Sequence, residues 1–132
     1  MNLSEENRID LVKLRLQKAK ETFAEVENHI KFCYWRTAAN RLYYACYYAV
    51  TSLLIKNGIN AQTHTGVINQ FGLYFVKTDI FSQNEGRLFK GLFELRQDGD
   101  YDDWITITKD DIIPRIEPVK NFLNKIEQLI TN

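Results

Sequence analysis

The sequence predicts an all-α protein, an antiparallel bundle of about five helices in a single domain spanning 1-132. Three observations carry this expectation. Apolar residues recur three and four apart through both terminal segments, the spacing that lines one face of a helix. The whole stretch before Gly58 contains neither proline nor glycine. No run alternates apolar and polar residues as a half-buried strand would; "DWITITK" has strand-type residues but nothing to pair with.

In the first segment, Ile9, Val12, Leu16, Ala19, Phe23, Val26 and Ile30 form an unbroken seam. Ser4 is the expected N-cap, and Glu5 and Glu6 follow where the helix dipole favours anions, so a helix is predicted from about Ser4 to about Ile30. The second, "YWRTAANRLYYACYYAVTSLLIKNG", places Ala38, Leu42, Ala45, Ala49 and Leu53 on one narrow stripe. Gly58 stands where a C-terminal cap belongs. Such a helix is long enough to be the central post of a bundle, and its small stripe admits a close neighbour.

"INAQTHTG" reads as a polar loop leading into a shorter helix with Val67, Phe71 and Tyr74 on one face, broadened by Ile68 and Phe75. Ser82 and Glu85 then form a capping box before a helix carrying Leu88, Leu92 and Leu95, with Phe89 and Phe93 beside them. Gly91 within it suggests close packing, and Gly99 is expected to end it. The last seam runs through Ile112, Ile116, Val119, Leu123, Ile126 and Ile130. Thr108 with Asp111 signals its start, whereas Pro114 and Pro118 each remove a backbone donor, which predicts a kinked start.

The totals exclude several classes. Seventeen basic and seventeen acidic side chains cancel, so any anion site is a local patch and not a global field. No stretch approaches a membrane span, and the first residues hold no apolar signal core, so a cytoplasmic location is expected. Cys33 and Cys46 fall in helical patterns and read as reduced. "DGDYD" offers Asp98, Asp100 and Asp102 as the opening of a calcium loop, but Asp103 and Lys109 stand where glycine and glutamate are needed. His29, Cys33, Cys46 and His64 lack zinc-site spacing, so no metal and no cofactor are expected.

In the second helix Arg36, Asn40, Tyr43 and Tyr47 follow one stripe, and Arg41, Tyr44, Tyr48 and Ser52 another. Tyrosines on such faces serve equally as core residues with satisfied hydroxyls or as a surface for a partner, and Tyr43, Tyr44, Tyr47 and Tyr48 are therefore candidates for a dimer interface. "FELRQDGDYDDW" ends an apolar helix in Arg96 and four aspartates. There the arginine would pack its stem on the bundle and be neutralised by the acidic turn.

Together, "AANRLYYACYYAVTSLLIKNGINAQTHTGV", "FGLYFVKT" and "LFELRQDGDYDDW" resemble the HEPN domain, the higher eukaryote and prokaryote nucleotide-binding helical domain, in its short stand-alone prokaryotic branch. The family pattern falls on Ala39, Arg41, Tyr43, Tyr44 and Ala45, on His64 and Gly66, and on Arg96, Asp100 and Tyr101. The resemblance implies a helical bundle that dimerises, often beside a small nucleotidyltransferase as toxin and antitoxin. It also implies, for active members, metal-independent ribonuclease chemistry from an arginine followed four to six residues later by histidine, with the two motifs of a dimer facing each other. An arginine suits a phosphate on which charge develops, and a histidine suits proton transfer near neutral pH.

Here Tyr101 takes the histidine position. With an ordinary pKa of about 10, tyrosine is a poor base, so the sequence points to binding more than to catalysis. Arg96, Tyr101 and His64 are the candidate catalytic residues. Arg96, Tyr101, Asp100, Arg41 and Arg36 are the candidate residues for binding RNA or a nucleotide. In one branch of the family a tyrosine beside the motif is modified by the partner nucleotidyltransferase, which makes Tyr101 a candidate acceptor.

Overall fold

A computed structural model describes residues 4–131, and over them the all-α expectation holds. Helix α1 spans Glu5–Lys31, α2 Trp35–Lys56, α3 His64–Phe71, α4 Gln83–Tyr101 and α5 Lys109–Thr131. A π-helical turn, Gly72–Val76, extends α3.

Helix α1 begins where its cap residue predicts, with Ser4 Oγ accepting from the Asn7 N–H. Val12, Leu16, Ala19 and Val26 of its seam are buried and Phe23 and Ile30 partly so, but Ile9 lies half in solvent. Helix α2 ends in a Schellman motif. Gly58, at φ +70°, lets its own N–H reach the Ile55 carbonyl while the Ile59 N–H reaches that of Leu54.

Helix α2 is the central post. Its small stripe, Ala38, Leu42, Ala45, Ala49 and Leu53, is wholly buried. Helix α1 runs antiparallel along it, fixed at one end by Arg8 Nη1 donating to the Ile55 carbonyl and one turn further in by Ser52 Oγ donating to that of Val12. Helix α4 also runs antiparallel to α2, while α5 lies parallel, its last carbonyls at Leu129 and Ile130 receiving Lys56 Nζ. The remaining volume is filled by Phe71, Phe81, Phe89 and Phe122. Phe71 meets the other three edge-on and Phe81 meets Phe122 tilted, all at 5.0–5.7 Å, while Phe89 stacks on Phe122 at 6.2 Å. Burying each ring is worth roughly 1.5–3 kcal/mol.

Four expectations need correction. His64 is not in the loop but opens α3, because Thr63 Oγ1 caps that helix through the Gly66 N–H. The π turn then adds a residue to the helical repeat, so Phe75 and not Tyr74 follows Phe71 into the core. Gly91 faces open space, where a Cβ would meet nothing within 4 Å. Gly99 does not end α4; it lies buried inside it, where a Cβ would stand 2.3 Å from Ile107 Cδ1. Helix α5 starts where Thr108 and Asp111 cap it, with both prolines inside the helix on its exposed side.

Candidate functional site

Arg96 projects from the last turns of α4 onto the tyrosines of α2. Its Nη2 donates to the Tyr44 hydroxyl at 3.0 Å, and its Nε lies 3.2 Å from Asp100 Oδ2. That second contact is an ion pair without an aligned hydrogen bond, so the buried Nε–H is left without an acceptor. The guanidinium carbon stands 5.2 Å from the Tyr44 ring, 5.8 Å from Tyr43 and 5.9 Å from Tyr101. The side chain is 13% exposed, with three aromatic rings around its guanidinium.

His64, brought in from the start of α3, packs on the same tyrosines. Its ring lies 4.6 Å from Tyr47, 5.9 Å from Tyr44 and 6.3 Å from Phe93. Its Nδ1 is 2.6 Å from the Tyr43 hydroxyl. Burial, helped by the Arg96 charge, lowers the His64 pKa from its ordinary 6.5, so the imidazole is neutral at pH 7. Tyr43 is completely buried, and burial raises its pKa well above the ordinary tyrosine value. Its hydroxyl therefore keeps its proton and needs an acceptor, which is His64 Nδ1. The neutral ring then carries its own proton on Nε2, pointing away from Tyr43 as a donor.

Three helices thus converge: Arg96, Phe93 and Asp100 from α4, three tyrosines from α2, and His64 from α3. The other candidates flank this cluster or lie apart from it. Tyr101, whose ring borders the Arg96 guanidinium on one side, is largely exposed and lines a cleft of about 530 Å³ with Arg36, Thr37, Asn40 and Asp100. Arg41 is occupied: Nε and Nη2 donate to Asn40 Oδ1, and Nη1 stands 3.6 Å from Glu25 Oε2. Of the tyrosines read as a dimer face, Tyr43 has no surface to offer, whereas Tyr44, Tyr47 and Tyr48 are partly buried against the core and only partly accessible. Tyr44 as the partner of Arg96 and Phe93 as the partner of His64 had no signature in spacing, since each contact joins different helices. Among the described residues no cluster of three or more His, Cys, Asp or Glu side chains could hold a metal ion, and no helix is long and apolar enough to cross a membrane.

A sequence model of the HEPN domain matches residues 12–129. A UPF0332 protein of Thermotoga maritima is 32% identical over 114 residues, 86% of this chain and 86% of its own length. Two proteins of Methanocaldococcus jannaschii bear the names "Putative toxin MJ0142" and "Putative toxin MJ0605". The first is 30% identical over 87% of this chain and 78% of its own length, the second 34% over 70% and 64%. The site groups, Arg96, Tyr43, Tyr44 and His64, all lie within the matched region. The chain belongs to the HEPN domain family.

Proposed function

We propose that this protein is a toxin-type HEPN domain that binds RNA through the Arg96 cluster, as a homodimer working with a small nucleotidyltransferase partner. The observation that carries the RNA reading is the convergence of three donors from three helices: the Arg96 guanidinium, the Tyr44 hydroxyl, and the Nε2–H of a neutral His64. Donors of this kind suit the oxygens of a phosphodiester, and an arginine suits them best because its planar fork can bond two at once. Asp100 holds the guanidinium in the resting protein and would give way, in part, to the phosphate. The toxin and partner assignments rest on the names of the M. jannaschii relatives and on the habits of the family.

A second reading, a ribonuclease, is favoured by one specific observation: His64 and Arg96 pack against the same tyrosine, Tyr44. Against it stands the proton on Nε2, which makes His64 a donor and not the base that would take the 2′-hydroxyl proton.

Fluorescence anisotropy with labelled single-stranded RNA, paired with thermal melts, tests the proposal. Arg96→Ala is expected to weaken binding by about ten- to a hundredfold, the worth of a charge-assisted hydrogen bond of roughly 1.5–3 kcal/mol. It is also expected to cost about 1 kcal/mol of stability, because the half-exposed Asp100 loses its partner but keeps water. Unchanged affinity for RNA would reject the site. Gel analysis of the same RNA after incubation decides the second reading, which requires cleavage that His64→Ala abolishes.

A further inference from the structure

On the far side of the tyrosine cluster from Arg96 stand two cations of α1 that have no part in the site described so far. Lys18 Nζ lies 4.7 Å from the centre of the Tyr48 ring, and the Arg15 guanidinium carbon 5.9 Å from it. Arg15 is half-buried and borders a hollow of about 190 Å³ with Tyr47, Thr51 and Gln62. Among the described residues, Lys20, Arg41, Arg96 and Lys125 each have a carboxylate within 4.0 Å, and Arg15 and Lys18 have none. The acid nearest Lys18 in helical register, Glu21, accepts instead from Gln17 Nε2. Most lysines and arginines of the described residues likewise lack such a carboxylate. What sets Arg15 and Lys18 apart is that both stand over one tyrosine ring, so an anion set between them would meet two cations and an aromatic surface at once.

The rings between the two ends are continuous. Tyr44 and Tyr48 lie 5.9 Å apart, Tyr47 and Tyr48 6.0 Å, and Tyr44 and Tyr47 5.9 Å, with Arg96 5.2 Å from Tyr44. The surface therefore reads, in order, cation, partly exposed rings, cation pair. A nucleic-acid duplex would use the cations but not the rings, because its bases are stacked inside. A single strand uses both, laying bases on aromatic faces and phosphates on the charges between them.

We propose that Arg15 and Lys18, with the faces of Tyr47 and Tyr48, form a second phosphate-and-base subsite, so that single-stranded RNA runs from Arg96 across α2 to α1. This inference rests on the RNA-binding reading above and extends it to residues outside the Arg96 cluster. Arg96 and Arg41 have Asp100 and Glu25 beside them, whereas Arg15 and Lys18 have no carboxylate within 4.0 Å to compete with a phosphate.

The test is a salt titration. Anisotropy of a fluorescein-labelled, uncleavable 2′-O-methyl oligouridylate of twelve nucleotides is followed against potassium chloride for the wild type, K18Q, R15Q/K18Q and R15K/K18R. Losing two phosphate contacts should flatten the slope of log K against log salt by about 1.4, and losing one by about 0.7. R15Q/K18Q should also bind more than tenfold more weakly at low salt, while R15K/K18R keeps the wild-type slope. K18Q alters an exposed side chain and serves where the double variant does not fold. Wild-type binding with an unchanged slope in K18Q and R15Q/K18Q overturns the track and leaves the Arg96 reading standing. A wild type that binds no RNA overturns both. Loss of binding accompanied by a change in sedimenting mass assigns the face to a protein partner and also overturns it.

Discussion

His64 shows how one buried hydroxyl and one cation set the state of a titrating side chain. Burial and the Arg96 charge hold its folded pKa below the 6.5 of the unfolded chain. Between those two values the unfolded chain binds more protons than the native one, so stability rises with pH across that window and is lost as pH falls through it. The melting temperature is therefore expected to decline as the pH drops below about 6.5, and His64→Gln should remove that part of the decline. Glu85 provides an internal control. Burial works against its carboxylate, but the Ser82 backbone N–H and Lys125 outweigh burial and hold its pKa below the ordinary 4.5, so its stabilisation is lost only at lower pH. Arg96→Gln should in turn move the His64 titration upward, read by proton NMR of the imidazole. A His64 that titrates at 6.5 or above in the wild type would refute the donor assignment on which the RNA reading leans.

Two glycines of α4 make the same point for an element. Gly91 meets nothing where a Cβ would stand, so Gly91→Ala should stabilise the protein by about 0.5–1 kcal/mol, the usual difference between the two residues inside a helix. Gly99 is pressed by Ile107, which returns from the loop after α4 to cover the helix. Gly99→Ala should cost roughly 1–3 kcal/mol by overpacking, and Ile107→Val, which removes the clashing Cδ1, should recover part of that loss in a double-mutant cycle. Urea denaturation of the four variants reads all of this, and equal effects of alanine at both glycines would contradict the packing described. From sequence the two glycines carried the opposite roles, because a glycine's spacing says nothing of what approaches it from another part of the chain. What was legible were features written within one helix: the seams of α1 and α5, the Ser82–Glu85 box, and the caps at Ser4, Gly58 and Thr108. The π turn after Phe71 left no mark in the residue pattern and moved Tyr74 out of the core. The site was legible by half. Arg96 and its acidic partner lie one turn apart on a single helix, whereas His64, Tyr43 and Tyr44 reach it only through the packing of α2 between α3 and α4.

For the whole molecule the same face bears on assembly, since pairing about a two-fold axis is the commonest arrangement for a homo-oligomer. A two-fold laid over Tyr44, Tyr47 and Tyr48 with its axis along the line from Arg96 to Lys18 would bring Arg15 and Lys18 of one protomer toward the same cations of the other. That repulsion disfavours this one axis direction. We expect the two protomers to pair so that the track stays open, with RNA adding to the dimer without competing with it. Sedimentation velocity at micromolar protein should give twice the chain mass, and the labelled oligouridylate should co-sediment with a species at least that large. A monomer at that concentration would remove the dimer. Halving of the mass when RNA is added would show instead that the tyrosine face is itself the dimer interface, with RNA and the second protomer competing for one set of rings.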